Sequence, residues 1–323
     1  MYTEDRVSFR EAKPLLERCG LFPVDCADVR IGIWDDMDNL VATGALVGDM
    51  LQMLAVDPVC RGEDLAAKVV TALLREARMK GITGVYMITK RAEAPKFRDL
   101  GLRPVAEAGA AALLEWGSRG IDACCENFRT FRTEDRPVGC IVMNANPFTK
   151  GHRYLAEQAA AACGRLFILV VEEDRSEFPF ADRLALVRQG TADLPNVTVL
   201  PGSRYVISSL TFPAYFLRDA EKAKAESELD AALFVRYIAP ALEITERFVG
   251  TEPLSASTNV YNETLERMLP PAGVALRKLP RLELGGAPVS ASAVRALLRE
   301  GRLEEACALV PATTEEYLRN MRK

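Results

Sequence analysis

Two apolar runs, residues 138–143 and 166–171, flank one amphipathic segment, residues 153–163. Six successive apolar positions with no polar alternation suit strands covered on both faces, the usual state of a parallel sheet. Strand, helix and second strand together restrict this half of the chain to an α/β unit built on such a sheet.

The first run leads into Asn144-Ala145-Asn146-Pro147-Phe148-Thr149-Lys150-Gly151-His152, which holds the only histidine among 323 residues. A strand that passes through a tight loop into a helix makes an anion-binding corner, because the first N–H groups of a helix lack intrahelical partners. Gly151 allows close approach of the backbone to a ligand, and Pro147 stiffens the loop. Lys150 and His152 add side-chain donors suited to a phosphate. Taken alone, a histidine at a helix start is a capping or packing residue; its surroundings and two later segments favour anion binding.

The loop resembles the T/HxGH motif of the nucleotidyltransferase superfamily, with Thr149 at the variable first position and Gly151-His152 matching the rest. That resemblance implies binding of the ATP triphosphate and support for attack on the α-phosphorus, with Asn146, Thr149, Gly151 and His152 as contacts. The second segment, residues 172–183, follows the second strand, and Phe180-x-x-Arg183 opens a helix over residues 181–190 with Asp182 suited to its first turn. A loop after a parallel strand lies at the ligand-binding edge of the sheet, which directs Arg183 towards a nucleotide; the alternative is a solvated loop ending in a surface arginine. The third is Val289-Ser290-Ala291-Ser292-Ala293-Val294-Arg295. Ser290 or Ser292 caps a helix over residues 293–300 that Gly301 ends. Capping accounts for one serine and leaves the other, and Arg295, without a role. The segment resembles the superfamily's ISSTxxR motif, whose hydroxyls and arginine hold the β- and γ-phosphates, a task suited to a guanidinium.

A chain of 323 residues is long enough for two domains with their own cores, and 49% hydrophobic with 27% charged residues is ordinary for a globular protein. The net charge of −4 points to no nucleic-acid partner. Residues 1–10 are polar, unlike a secretory signal, and no run of about 20 apolar residues suggests a membrane span. The eight cysteines form no CxxC pair, and with a single histidine a zinc site is not expected. Scattered thiols fit a reducing cytoplasm, most of them as small buried apolar residues.

Residues 118–136 lack sustained periodicity, which divides the chain into domains over residues 1–130 and 131–323. In the first, strands over residues 30–34, 40–47 and 50–56 lead through residues 57–66 to a helix over residues 65–80 and a strand over residues 84–89. This resembles the GNAT acetyltransferase core, with Ala55-Val56-x-Pro58 approaching the pyrophosphate loop and Phe97-x-x-Leu100-Gly101-Leu102-Arg103-Pro104 as the closing helix and strand. In that loop Asp64 stands where the family has glycine. The loop works by offering bare N–H groups to a pyrophosphate, and a carboxylate there repels that charge. A repurposed domain that binds acetyl-CoA poorly is therefore expected.

A GNAT-like domain followed by a nucleotidyltransferase domain resembles the citrate lyase ligase family over nearly the whole length. The matching stretches are Asn144-Ala145-Asn146-Pro147-Phe148-Thr149-x-Gly151-His152-Arg153-Tyr154-Leu155, Tyr205-x-Ile207-Ser208-Ser209-x-Thr211-Phe212-Pro213-x-Tyr215-Phe216-Leu217 and Arg247-Phe248-Val249-Gly250-Thr251-Glu252-Pro253. The resemblance implies ATP, acetate and the thiol-bearing prosthetic group of the citrate lyase acyl carrier protein as substrates, and an AMP-forming reaction through acetyl-adenylate. It assigns His152 and Lys150 to charge on the α- and β-phosphates, Thr149 to a phosphate hydrogen bond, and Ser290, Ser292 and Arg295 to the β/γ end. Mg2+ bridging the phosphates is expected from the chemistry. The stretch around Tyr205 is core or pocket wall, with hydroxyls on Ser208, Ser209 and Thr211 suited to acetate or a pantetheine arm. Gly250-Thr251-Glu252 is either an approach to adenine or ribose, or a plain turn. The alternative activity is transfer of a nucleotide to a phosphorylated metabolite; a third reading is a GNAT acyltransferase with an appended partner module.

Overall fold

A computed structural model describes residues 2–118, 120–173, 176–208, 211–213, 215–251 and 256–321. The chain forms two compact units, Met1–Cys124 with Phe212–Ala232, and Cys125–Thr211 with Leu233–Lys323.

In the first unit β1 (Thr3–Arg6) precedes α1 (Phe9–Arg18), whose start is fixed by a reciprocal capping box between Ser8 and Glu11. Then come β2 (Val29–Trp34), β3 (Leu40–Val47), β4 (Met50–Val56), α2 (Leu65–Met79), β5 (Gly84–Lys90), α3 (Ala94–Asp99), β6 (Arg103–Ala108) and β7 (Ala111–Gly117). The seven strands lie in the order β1-β2-β3-β4-β5-β7-β6. Every neighbouring pair is antiparallel except β4 and β5, which run parallel and share only the Met50–Tyr86 register pair. Those two strands therefore part after one contact. The apolar side of α2, with Val69, Val70, Leu73 and Ala77, packs on Val29, Ile31, Leu46 and Leu51 of the sheet. The mixed α/β arrangement agrees with the GNAT-like expectation. Helix α4 (Ile121–Arg129) contains the division between the units.

The second unit is built on β8 (Val138–Met143), α5 (Lys150–Ala162), β9 (Arg165–Val170), α6 (Phe180–Gly190) and β10 (Val197–Pro201). After α7 (Asp219–Leu233) and a π-helical turn (Phe234–Ile238), it continues through α8 (Ala239–Leu242), β11 (Glu246–Gly250), α9 (Ala256–Met268) and β12 (Ala275–Leu279). It ends with the small hairpin β13 (Glu283–Leu284) and β14 (Ala287–Pro288) and helices α10 (Ala291–Arg299), α11 (Leu303–Ala308) and α12 (Ala312–Asn320). Strand order is β10-β9-β8-β11-β12, all parallel, as expected from the two apolar runs. Ile141, Met143, Leu166, Ile168 and Val170 are all buried and join Ala156, Ala159 and Leu186 from the helices in one core.

Strand order reverses between β8 and β11, the position where open α/β sheets bind ligands. Those strands pair only at Gly139–Glu246 and Cys140–Arg247, near the start of each. Beyond that point they diverge, and the loop from Asn144 to Thr149 leaves β8 at the open end.

Candidate active site

The loop after β8 is held in an unfavourable conformation by its neighbours. Ala145 has φ 50, a left-handed state that costs a residue with a Cβ about 1–2 kcal/mol. On one side, the Asn144 carbonyl and Oδ1 each accept from Nη1 of Arg183 at 2.7 Å. On the other, Asn146 Oδ1 accepts the Phe178 N–H at 3.2 Å, and the Asn146 carbonyl accepts Nη1 of Arg295 at 2.5 Å.

Helix α5 begins three residues earlier than the periodicity of its apolar face predicts, with Thr149 as N-cap. Thr149 Oγ1 accepts the His152 N–H at 3.3 Å, and the Thr149 N–H donates to Nδ1 of His152 at 3.1 Å. This is a capping box with histidine in the place usually taken by glutamate. Because Nδ1 accepts from a backbone N–H, the neutral ring carries its proton on Nε2. Desolvation, followed by the charge of Arg281, pushes the imidazole down to about 4. At neutral pH His152 is therefore an uncharged donor rather than an imidazolium. Its ring stacks on Phe148 with 5.9 Å between centroids and 13° between planes.

Gly151 serves a close approach within the protein. A Cβ there would stand 2.8 Å from the Val289 carbonyl oxygen, so the bare backbone lets the start of α5 lie against the segment that leads to α10. In α10 the N-cap is Ser290, whose Oγ accepts the Ala293 N–H at 3.1 Å. Ser292 is exposed and accepts from Nη2 of Arg295 at 3.3 Å. Asn146, Gly151, His152 and the segment from Val289 to Arg295 thus lie together, although about 140 residues separate the two motifs.

Two predicted ligand contacts are engaged elsewhere. Lys150 Nζ donates to the carbonyl of Ala308 at 2.8 Å, placing its charge at the C-terminal end of α11, where a cation is favoured. Arg183 is fully buried; Nε donates to the Phe178 carbonyl at 3.0 Å, Nη1 also to the Val171 carbonyl at 3.0 Å, and Nη2 to the Glu173 carbonyl, with the Glu173 carboxylate 3.4 Å away. That guanidinium ties the loops after β8 and β9 together, unlike either the ligand-facing or the surface arginine expected from the sequence.

On the far side of the strand divergence, Arg281 Nε donates to the Thr251 carbonyl at 2.6 Å, and Asn262 Nδ2 to the Gly250 carbonyl at 3.3 Å. Sequence reasoning missed Arg281; a cation two residues past the C-terminal end of a parallel strand was the available signal. Glu252 and Pro253, like Asp174, Arg175 and Ser209, lie outside the described residues. Tyr205, Val206 and Ile207 are buried, and Thr211 Oγ1 accepts the Ser208 N–H at 2.8 Å, so two of the three candidate hydroxyl residues are joined in a local turn. Phe212, Tyr215, Phe216 and Leu217 are buried as part of the first unit.

In that unit the parting of β4 and β5 opens a cavity of about 510 Å³ lined by Leu54, Val56, Met87, Thr89 and the start of α2, with Tyr215 and Phe216 in its wall. Asp64 lies at its edge as N-cap of α2, at φ 55 and ψ 17, with no side-chain capping bond.

A parallel α/β sheet with a loop that opens a helix at its switch point is an arrangement in which open α/β folds commonly bind nucleotides. The family of citrate lyase ligase C-terminal domains matches residues 138–318. The chain is 42% identical over 286 residues to a [citrate [pro-3S]-lyase] ligase of Klebsiella pneumoniae, covering 87% of this chain and 84% of that protein. It is 40% identical to the Escherichia coli (strain K12) protein of the same name, over 88% of this chain and 83% of that one. The chain belongs to the citrate lyase ligase family. Among solved structures, it is similar to the ribosomal-protein-S18-alanine N-acetyltransferase of Escherichia coli at TM-score 0.30 and 15% identity, over 36% of this chain and 91% of that one.

Proposed function

We propose that this chain is an AMP-forming ligase that acetylates the thiol of the prosthetic group on the citrate lyase acyl carrier protein, and so activates citrate lyase in the cytoplasm. The observation that carries the reading is the junction of Asn146, Gly151 and His152 with Arg295 at the open end of β8 and β11. The 42% and 40% identical relatives bear the name of that ligase, which selects this activity among those a nucleotide-binding corner supports.

Acetate is a poor acyl donor because its oxygen leaves badly. Attack of an acetate oxygen on the α-phosphorus of ATP forms the P–O bond of acetyl-adenylate and breaks the bond to pyrophosphate. The carrier thiol then attacks the acetyl carbonyl, loses its proton, and releases AMP. No protein nucleophile is required; positioning and charge stabilisation suffice for the first step. The His152 Nε2–H supplies a preorganised donor to a phosphate oxygen, and its neutrality keeps it from holding the departing pyrophosphate too strongly. Thr149 fixes the ring, Gly151 brings the helix start into place, and Ser290, Ser292 and Arg295 receive the β/γ end. Arg183 and Lys150 hold the loop, and Arg281 adds positive charge near His152. Among the described residues no group of three His, Cys, Asp or Glu side chains is placed to hold a metal. Mg2+ would enter on the triphosphate, where it would neutralise phosphate charge. No helix among the described residues is long and apolar enough to cross a membrane.

The test supplies ATP, magnesium, acetate and a thiol-bearing carrier to the whole protein. Acetate-dependent release of pyrophosphate together with AMP is expected. Formation of ADP, or nucleotide retained on a phosphorylated product, would sink the reading.

A further inference from the structure

On α10, Arg295 and Arg299 stand one turn apart on the same face of the helix. Both reach the same oxygen: Glu177 Oε1 lies 3.4 Å from Nε of Arg295 and 3.2 Å from Nη2 of Arg299. Arg295 is the more firmly placed, with Nη1 on the Asn146 carbonyl and Nη2 near Ser292. Arg299 is 67% exposed and Glu177 47% exposed, so their contact is a solvated one. Ion pairs of that kind contribute little and are readily exchanged. Two guanidiniums facing one carboxylate leave an uncompensated positive charge where an anion already sits.

We infer that Arg299 is a second phosphate-binding guanidinium for the tail of ATP, and that the Glu177 carboxylate is displaced from between Arg295 and Arg299 when that tail arrives. This rests on the ligase reading. A terminal phosphate carries more charge than a carboxylate and three acceptor oxygens, enough for both guanidiniums at once. Glu177 sits on a loop, with Asn146 fixing the neighbouring Phe178, so its side chain can swing into solvent while the backbone stays put. The expected signs are opposite. Loss of Arg299 removes a phosphate contact, whereas loss of the Glu177 charge removes a competitor.

The experiment uses the whole protein and two readings, KM for ATP in acetate-dependent pyrophosphate release and the inhibition constant of inorganic tripolyphosphate against ATP. Arg299→Ala should raise both by about 3- to 10-fold, the scale of one charge-assisted contact near the surface, with the larger change on KM than on kcat. Arg299→Lys should recover part of the loss. Glu177→Gln should lower both constants by about 2- to 5-fold, since an exposed like charge repels weakly. Constants at their native values in Arg299→Ala, a KM shift without a tripolyphosphate shift, or Glu177→Gln raising both constants would each overturn the inference. A native protein that releases no pyrophosphate with acetate would instead refute the ligase reading itself.

Discussion

At the scale of single residues, protonation and burial divide the polar side chains of the loop into those that face a ligand and those that hold the frame. On the function proposed above, His152 belongs to the first group. If its Nε2–H meets the phosphates in the transition state, His152→Ala should lower turnover by roughly 10²–10³-fold, the effect of losing one preorganised donor. The folding midpoint at neutral pH should fall as well, by the equivalent of about 1 kcal/mol, because the Thr149 N–H loses its acceptor and Phe148 its stacking partner. The same ring makes a pH prediction. Its folded-state pKa of about 4 lies below the ordinary 6.5, so between those values the unfolded chain binds more protons than the folded one. Stability should be flat above pH 6.5 and fall as pH drops towards 4, by an amount of order 3 kcal/mol. In His152→Asn that slope should flatten, and an identical slope in both proteins would assign the acid sensitivity to other groups. Arg183 belongs to the second group. A lysine in its place cannot reach the carbonyls of Val171, Glu173 and Phe178 together, and it leaves Glu173 short of its buried partner. Arg183→Lys should therefore lower the unfolding free energy by about 3 kcal/mol, within the range for breaking a buried ion pair. Denaturant melts would measure it; a loss of ATP affinity at unchanged stability would return Arg183 to the nucleotide.

At the scale of elements, the start of α5 and the segment before α10 form one structural joint. Gly151 permits it, because the nearest obstacle to a Cβ is a backbone oxygen at 2.8 Å, which has no rotamer with which to retreat. Gly151→Ala should separate the two segments by several tenths of an ångström, and with them the contact of Arg295 with the Asn146 carbonyl. The expected result is a loss of at least about 1 kcal/mol of stability, typical of a small overpacking, together with weaker ATP binding. Native stability and native KM in that variant would contradict the joint. The strands were legible in the sequence because burial on both faces leaves an unbroken apolar run, and residues 138–143 form a strand as read. Helix starts were less so. Lys150, Gly151 and His152 are too polar and too flexible to extend an apolar periodicity, and only the Thr149–His152 cap makes them helical. Lys150 carries two readings for a related reason, since a terminal ammonium suits a helix-end carbonyl as well as a phosphate. For Arg281 the local pattern showed only a cation just past a strand end; its relation to His152 depends on the pairing of distant strands, which no local pattern reports.

At the scale of the whole molecule, the first unit is not a continuous stretch of chain. Phe212–Ala232 belongs to it, and Tyr215 hydroxyl donates to the Ile88 carbonyl on β5 at 3.4 Å while its own carbonyl accepts the Phe22 N–H at 2.7 Å. A fragment ending near residue 130 would lack the wall of its own cavity, so acetyl-CoA binding has to be measured on the full chain. There, Asp64 is expected to act on both the ligand and the fold. Its carboxylate at the start of α2 repels a pyrophosphate by about 1–4 kcal/mol at contact distance, depending on how much water remains. It also holds a left-handed conformation that glycine adopts freely. Asp64→Gly should therefore act twice in the same direction: it should raise the folding midpoint, by relieving backbone strain of about 1 kcal/mol, and it should tighten any residual binding of acetyl-CoA. Calorimetry and thermal melts on the unaltered protein and the variant separate the two effects. Micromolar binding of acetyl-CoA by the unaltered chain would show that the carboxylate does not block the loop and would restore the acyltransferase reading of this unit. A variant that gains stability without gaining acetyl-CoA binding would mean that the cavity walls, with Tyr215 and Phe216 in place, exclude the ligand on their own.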